Sequence, residues 1–335
     1  MNAYERQAEI EELQKLLKRA QQQAAANKRR TDDLVEAVYR AAYEAAKASG
    51  RGQPPKRPAV DKRRKNAEVA LVHATDWQLG KKSSTYGIQV ADRRIQEFTD
   101  KVIQLTEIQR ADHPVDECVV MLGGDMVEGG GNIFASQVWE IEAHLFEQIF
   151  ETARIIERML LQLQANFAKP LRVVCEWGNH GRLGRYGDGT WAGDNADRMA
   201  YRIAQDRTKH LGIEWQHDDS WFQRFAIGNY RILLVHGDEV KSFGGNVPAY
   251  GIMRKVNAWS SGVIDDFDDC YMGHFHQNIQ MTLANGGRVF VTGSPESDNQ
   301  YAKEFVAATG VPSQRLHFVS PSHGRVTAEY VVWLT

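Results

Sequence analysis

Polar and apolar positions change rhythm twice along this chain. In the first 50 residues the apolar side chains Ile10, Leu13, Leu17, Ala20 and Ala24 recur at steps of three and four, the spacing of a helical heptad seam. Thr31, followed by Asp32 and Asp33, reads as a new helix start, after which Leu34, Val35, Val38, Tyr39, Ala42 and Ala46 form one apolar face up to Gly50. From Glu68 onward short apolar runs take over, at Val69–Ala74, Cys118–Leu122, Leu171–Trp177, Ile232–Val235, Tyr271–Met272 and Val289–Thr292, and each reads as a buried strand. A long helical pattern from about Ile133 to Phe167 separates the second and third runs, and another helix is expected over Asp194–Leu211. The ANGG stretch at 284–287 predicts a hairpin between 279–283 and 289–291. These elements predict an α/β (α+β) body of packed, mixed β-sheets flanked by helices.

Between the two regimes, residues 51–66 carry three prolines, seven basic residues and one acidic residue. Regular structure is not expected there. The segment reads as a solvated linker, with contact to a nucleic-acid backbone as the alternative. The expected organisation is a helical arm over 1–50, this basic linker over 51–66 and a catalytic domain over 67–335. The whole chain of 335 residues has a formal net charge of −2, so attraction to a polyanion would have to be local. Three cysteines, Cys118, Cys175 and Cys270, lie in or beside apolar runs without metal-knuckle spacing, which suggests buried thiols in a reducing, cytoplasmic setting. The N-terminus is too charged for a signal peptide, and no apolar stretch reaches the roughly 20 residues of a membrane span.

The chemistry lies just past the strand-like runs. Asp76 and Gln78 follow the first run, Asp125 the second, Asn179 and His180 the third, His236 the fourth, and His274 and His276 the fifth. Carboxylate, amide and imidazole donors at neighbouring strand ends can converge on one point. No hydrophobic core calls for those residue types there. This donor mixture suits borderline divalent ions such as Mn²⁺, Fe²⁺ or Zn²⁺, with Mg²⁺ also possible. A bridging carboxylate between two such ions is a common device for displacement at phosphorus.

In this order, Asp76, Gly124-Asp125, Gly178-Asn179-His180, His236 and Gly273-His274-Phe275-His276 resemble the calcineurin-like metallophosphoesterase superfamily across about residues 68–295. The first island, with Trp77, Leu79 and Gly80, and the later Gly293-Ser294-Pro295 are most similar to the nuclease subunit of SbcCD-type DNA-repair exonucleases. The resemblance implies two packed sheets flanked by helices and a dinuclear centre, with Mn²⁺ as the leading metal. Asp76, Asp125, His276 and Gln78 would serve one ion. Asp125, Asn179, His236 and His274 would serve the other. His180 would be the proton donor, and a bridging hydroxide would attack phosphorus in line. The implied activity is a DNA exo- or endonuclease. A phosphatase or nucleotide hydrolase is the alternative, and an impaired nucleic-acid-binding protein is a second one. The family has His where this chain has Gln78, a neutral oxygen ligand at best.

Lesser candidates surround these islands. Glu128 is a possible partner of a ligand, and Arg182 and Arg185 could clamp a phosphate. Asp194 and Asp197 read as helix-start residues, and His73 as a core histidine. His113, His144, His210, His217, His317 and His323 have no motif context. Trp139 falls in a helical pattern and is expected in the core, and Trp191 is the first candidate for base stacking. DNA is the expected partner, with self-association through the N-terminal helices. A coiled-coil ATPase partner is not expected, because the sequence ends soon after the strand-like AEYVVWL.

Overall fold

The computed structural model describes residues 54–63, 65–131, 133, 137–184, 193–240, 248–264, 266–296 and 311–334, with scattered positions between 15 and 44. The heptad seam and the second apolar face of the N-terminal arm, Arg185 and Trp191 therefore lie outside the described residues.

Two mixed sheets form the body. In the first, β1 (Glu68–Ala74), β2 (Val115–Leu122), β3 (Arg172–Cys175) and β4 (Glu214–Gln216) run parallel. The antiparallel pair β10 (Ser313–Ser320) and β11 (Arg325–Trp333) extends that sheet beyond β1. The second sheet has the order β5-β6-β7-β9-β8, built from β5 (Gln223–Ile227), β6 (Tyr230–Leu234), β7 (Asp269–Met272), β8 (Ile279–Thr282) and β9 (Arg288–Val291). Strands β6, β7 and β9 are mutually parallel, and β8 and β9 form the hairpin that ANGG predicts.

Alternation along β1 explains the layering. Val69 and Leu71 point between the sheets and join Val119, Met121, Ile232, Leu234, Tyr271 and Phe290. Ala70, Val72 and Ala74 point the other way, into a core shared with three helices. Those helices are α1 (Ile88–Gln109), α2 (Leu145–Asn166) and α3 (Ala196–Thr208). On the far side of the second sheet, Leu233, Cys270, Met272, Val289 and Val291 pack against Ile252 and Val256 of α4 (Ala249–Ala258). The result is four layers, helix–sheet–sheet–helix, as the packed-sheet expectation required. All three cysteines are buried free thiols. Among the described residues, no helix is long and apolar enough to cross a membrane.

Two expectations need correction. The helical pattern over 133–167 becomes a helix only at Leu145, where His144 and Glu147 close a reciprocal capping box. The stretch before it is loop with one 3₁₀ turn, Gln137–Trp139. Its apolar positions mimic a helix, but the buried Gln137 is spent on loop hydrogen bonds to Glu128, Gly131 and Ile133. Trp139 consequently lies on the surface, 84% exposed, rather than in the core.

The basic segment is also tied down. Arg57 donates to the Leu211 carbonyl, Arg63 to the Ala111 and Arg110 carbonyls, and the Asp61 amide to the Asp116 carboxylate. All these anchors sit at the edge where β2 and β4 begin. The candidate ligands follow the strands' other ends. β2 is 8 residues long, so roughly 26 Å separates the two edges at a rise of about 3.3 Å per residue.

Candidate metal centre

The chain reaches the centre through loops that leave the C-terminal ends of β1, β2, β3, β6 and β7. The first two loops continue side by side beyond their strands. Asp76 N–H donates to the Gly124 carbonyl at 2.9 Å, Gln78 N–H to the Asp125 carbonyl at 2.9 Å, and Leu79 N–H to the Met126 carbonyl at 2.9 Å. Strain is concentrated in these loops. Among the described residues six non-glycine positions have positive φ, and five of them are Asp76 (54°), Gln78 (42°), Asp125 (50°), His274 (66°) and His276 (54°). Each such conformation costs roughly 1–2 kcal/mol for an L-residue. Five of the seven expected ligands share it because it turns the side chain back over the strand ends. Glycines allow the close approach. A Cβ on Gly178 would lie 2.0 Å from Asp125 Oδ1, and one on Gly273 would lie 2.2 Å from Asp76 Oδ2.

Four side chains meet tightly. His236 Nε2 lies 3.0 Å from Asp125 Oδ2 and 3.2 Å from Asn179 Oδ1. Asp125, His236 and His274 each place a donor atom within 4.8 Å of the others. A cation about 2.0–2.2 Å from each O or N donor sets neighbouring donors roughly 3.0–3.5 Å apart, so the spacing fits. His236 Nδ1 faces the Gly123 carbonyl at 2.8 Å, and a carbonyl only accepts. Nδ1 therefore carries hydrogen, and Nε2 is the nitrogen left to ligate. The His236 and His274 rings stand edge to face, 5.2 Å apart.

The electrostatics match that set. Burial would raise the Asp125 carboxyl, but His236 and then His180 hold it well below the usual carboxylate range. Burial would likewise lower the His236 ring, yet Asp125 raises it well above the usual histidine value. His274 is pushed down to about 4 by burial and by neighbouring His236, so it is a free base at neutral pH.

The second group of expected ligands is arranged differently. His276 Nε2 is 3.4 Å from Asp76 Oδ1, and its Nδ1 is 3.3 Å from Glu296 Oε2. Both Asp76 carboxylate oxygens accept from the His274 backbone N–H at 3.0 Å, and Thr75 Oγ1 donates to Oδ2 at 2.9 Å. Gln78 reaches the centre but does not present the oxygen a ligand needs. Its Oε1 accepts from the buried Lys81 ammonium at 3.3 Å, and its Nε2 turns inward, 3.3 Å from His276 Nε2 and 3.4 Å from His180 Nε2. An ammonium can only donate, which fixes the oxygen on the Lys81 side. As placed, Gln78 turns its NH₂ group rather than its oxygen towards the centre.

His180 sits beside both groups. Its Nδ1 faces the Glu128 carbonyl at 3.1 Å and the Glu128 carboxylate at 3.3 Å, and its Nε2 is 3.9 Å from Asp125 Oδ2. Burial opposes charge on this ring, but Glu128 and Asp125 raise it to about 9. Glu128, read as a possible partner of a ligand, thus partners His180. Arg182 forms an ion pair with Asp238, next to the His236 loop. His73 is a buried core residue bonded to Thr292 Oγ1 at 2.8 Å, as its mid-strand position suggested.

Four residues that hold the centre together were not read as part of it. Asp197, read only as a helix-start residue, is fully buried and accepts the N–H groups of Met126 (3.0 Å), Val127 (3.1 Å) and Gly178 (2.9 Å). Its helix is capped by Asn195 instead. Gln314 on β10 braces the Asp76 loop through Thr75 N–H, the Thr75 carbonyl and the Trp77 indole. Lys81 and Glu296 pair at 2.7 Å. Glu296 directly follows the Gly293-Ser294-Pro295 stretch, where Ser294 Oγ donates to the Asp76 carbonyl at 2.6 Å, and that stretch was the one available pointer.

No family model matches this sequence, and no curated protein does. Solved structures with a similar chain course include Vps29 from Entamoeba histolytica complexed with zinc, at 15% identity over 78% of this chain and 98% of that one, with a TM-score of 0.34. A predicted phosphoesterase from Streptococcus pneumoniae matches at 11% identity over 79% of this chain and 98% of that one, with a TM-score of 0.32. Phosphopantetheinyl hydrolase from Mycobacterium tuberculosis matches at 12% identity over 72% of this chain and 94% of that one, with a TM-score of 0.29. Likeness this distant says nothing of chemistry, which rests here on the side chains themselves.

Proposed function

We propose that this chain is a metal-dependent phosphoester hydrolase, and that its substrate is a phosphodiester of DNA. The observation that carries the first part is the meeting of Asp125, Asn179, His236 and His274 at ligand spacing, with His180 alongside. When bound, a divalent cation supplies Lewis acidity towards a phosphoryl oxygen and activates water. His180 does the proton work. Glu128 and Asp125 favour charge on its ring, and its Nε2 faces the ligand set, where it can pass a proton to the leaving oxygen. Glu128 holds the opposite edge of the ring, and Gln137 in turn donates to the Glu128 carbonyl and carboxylate.

Support for DNA is the resemblance of Trp77, Leu79, Gly80 and Gly293-Ser294-Pro295 to the SbcCD-type nuclease subunit. The basic segment does not add to it, because its anchors lie at the opposite sheet edge. That placement favours a second reading, a phosphatase or nucleotide hydrolase acting on small phosphoesters. The test is hydrolysis of linear, nicked and single-stranded DNA beside p-nitrophenyl phosphate and its bis-ester, with Mn²⁺ and with EDTA. Mn²⁺-dependent DNA cleavage is expected. Turnover of the small esters alone would assign the second reading, and no turnover of any of them would refute the hydrolase.

A further inference from the structure

The two halves of the centre have opposite electrical character. Around Asp125 every converging group can present a lone pair to a cation: a carboxylate, an amide oxygen, the His274 imidazole and, once its Nε2 proton has left, the His236 imidazole. Around Gln78 they include donors. The Lys81 ammonium is buried, and its ion pair with Glu296 already neutralises the extra carboxylate on that side. It also holds Gln78 Oε1, which leaves the Gln78 NH₂ group aimed at the centre. An amide NH₂ has no lone pair to give, and its hydrogens repel a cation. Asp76 is already engaged by the His274 N–H and the Thr75 hydroxyl.

We propose that the centre takes one tightly held divalent cation, at Asp125, Asn179, His236 and His274, and that Gln78 and Lys81 close the position beside Asp76 and His276 to a second. The Gln78 NH₂ then serves as a donor to an anionic phosphoryl oxygen, work that a second cation would otherwise do. This rests on the phosphoester reading above. It departs from the paired-ion centre that the sequence resemblance implies.

The test counts ions and does not depend on turnover. Metal-free full-length chain is titrated with Mn²⁺ and with Zn²⁺ by calorimetry, and bound metal is counted by mass spectrometry after gel filtration. One equivalent is expected. His236→Ala should lose it, and His276→Ala should keep it. The double variant Gln78→His, Lys81→Met should gain a second equivalent. Each variant is checked by circular dichroism and thermal melting. Two equivalents of similar affinity in the unaltered chain would overturn the proposal, as would loss of the cation in a folded His276→Ala. A folded double variant that still takes one would show that Gln78 and Lys81 are not the barrier. No binding of either metal would sink the metal centre itself, an outcome distinct from finding two.

Discussion

Replacing Asp197 with Ala removes one carboxylate that ties two ligand-bearing loops together. Three buried N–H groups, those of Met126, Val127 and Gly178, would lose their acceptor. At about 1–3 kcal/mol each, the gross cost is roughly 3–9 kcal/mol. An opposing effect exists. Burial, and then the Asp125 charge, raise the Asp197 carboxyl from 3.8 to about 6. A shift of roughly two units means that keeping it ionised costs about 3 kcal/mol at pH 8, which the alanine relieves. The net expectation is about 3 kcal/mol of destabilisation, or a melting point lower by roughly 5–10 °C. The sign of the pH dependence follows from the raised pKa. The contribution is fully present below about pH 4 and fades as pH rises to about 6, so in chelator the gap between parent and variant should shrink over that window. Cation affinity should fall about 10- to 100-fold, because Asp125 and Asn179 lose their common anchor. Thermal melts in EDTA and Mn²⁺ calorimetry measure both. A variant that melts within about 1 °C of the parent and binds Mn²⁺ equally well would refute the reasoning.

Other outcomes follow from the same geometry. His180→Gln should lower kcat by roughly 10²–10⁴-fold while bound metal stays unchanged, since His180 is not among the proposed ligands. Loss of metal together with rate would reassign it. Gly178→Ala should abolish metal uptake, because its Cβ would meet Asp125 Oδ1 at 2.0 Å, and metal analysis of the folded variant decides it. Binding of the cation should release about one proton from His236 at pH 7.5, since Asp125 raises that ring well above its usual value; calorimetry in buffers of different ionisation enthalpy reads the number. Replacing the exposed Lys56 and Lys62 with Ala should leave the salt dependence of DNA cleavage unaltered, because the segment bearing them is anchored at the far edge. A slope reduced by about two would place DNA on that segment.

Much of the body was legible in the chain because burial imposes period and composition locally. The strand-like runs became β1, β2, β3, β6, β7 and β9 within a few residues, and ANGG became the β8–β9 turn. Helix α1 went unread. Arg94, buried within it, donates to the Pro295 carbonyl some 200 positions away, and Thr99 and Thr106 bond back to their own turns, so its apolar stripe is diluted with polar residues. The start of α2 was misplaced because apolar spacing does not reveal whether Gln137 is spent on a helix or on a loop.

For the centre, sequence alone determined which residue types stand at the strand ends, because short polar islands after apolar runs are visible without coordinates. It did not determine what each side chain offers. The direction of the Gln78 amide is set by Lys81, whose ammonium is held by Glu296 from far along the chain. The anchoring of the Asp125 and Asn179 loops is set by Asp197 on α3. The basic segment's distance from the centre is fixed by carbonyls at the opposite sheet edge. Each of these depends on contacts between residues remote in sequence, and hydrogen-bond direction and charge neutralisation become defined only when the fold brings those partners together.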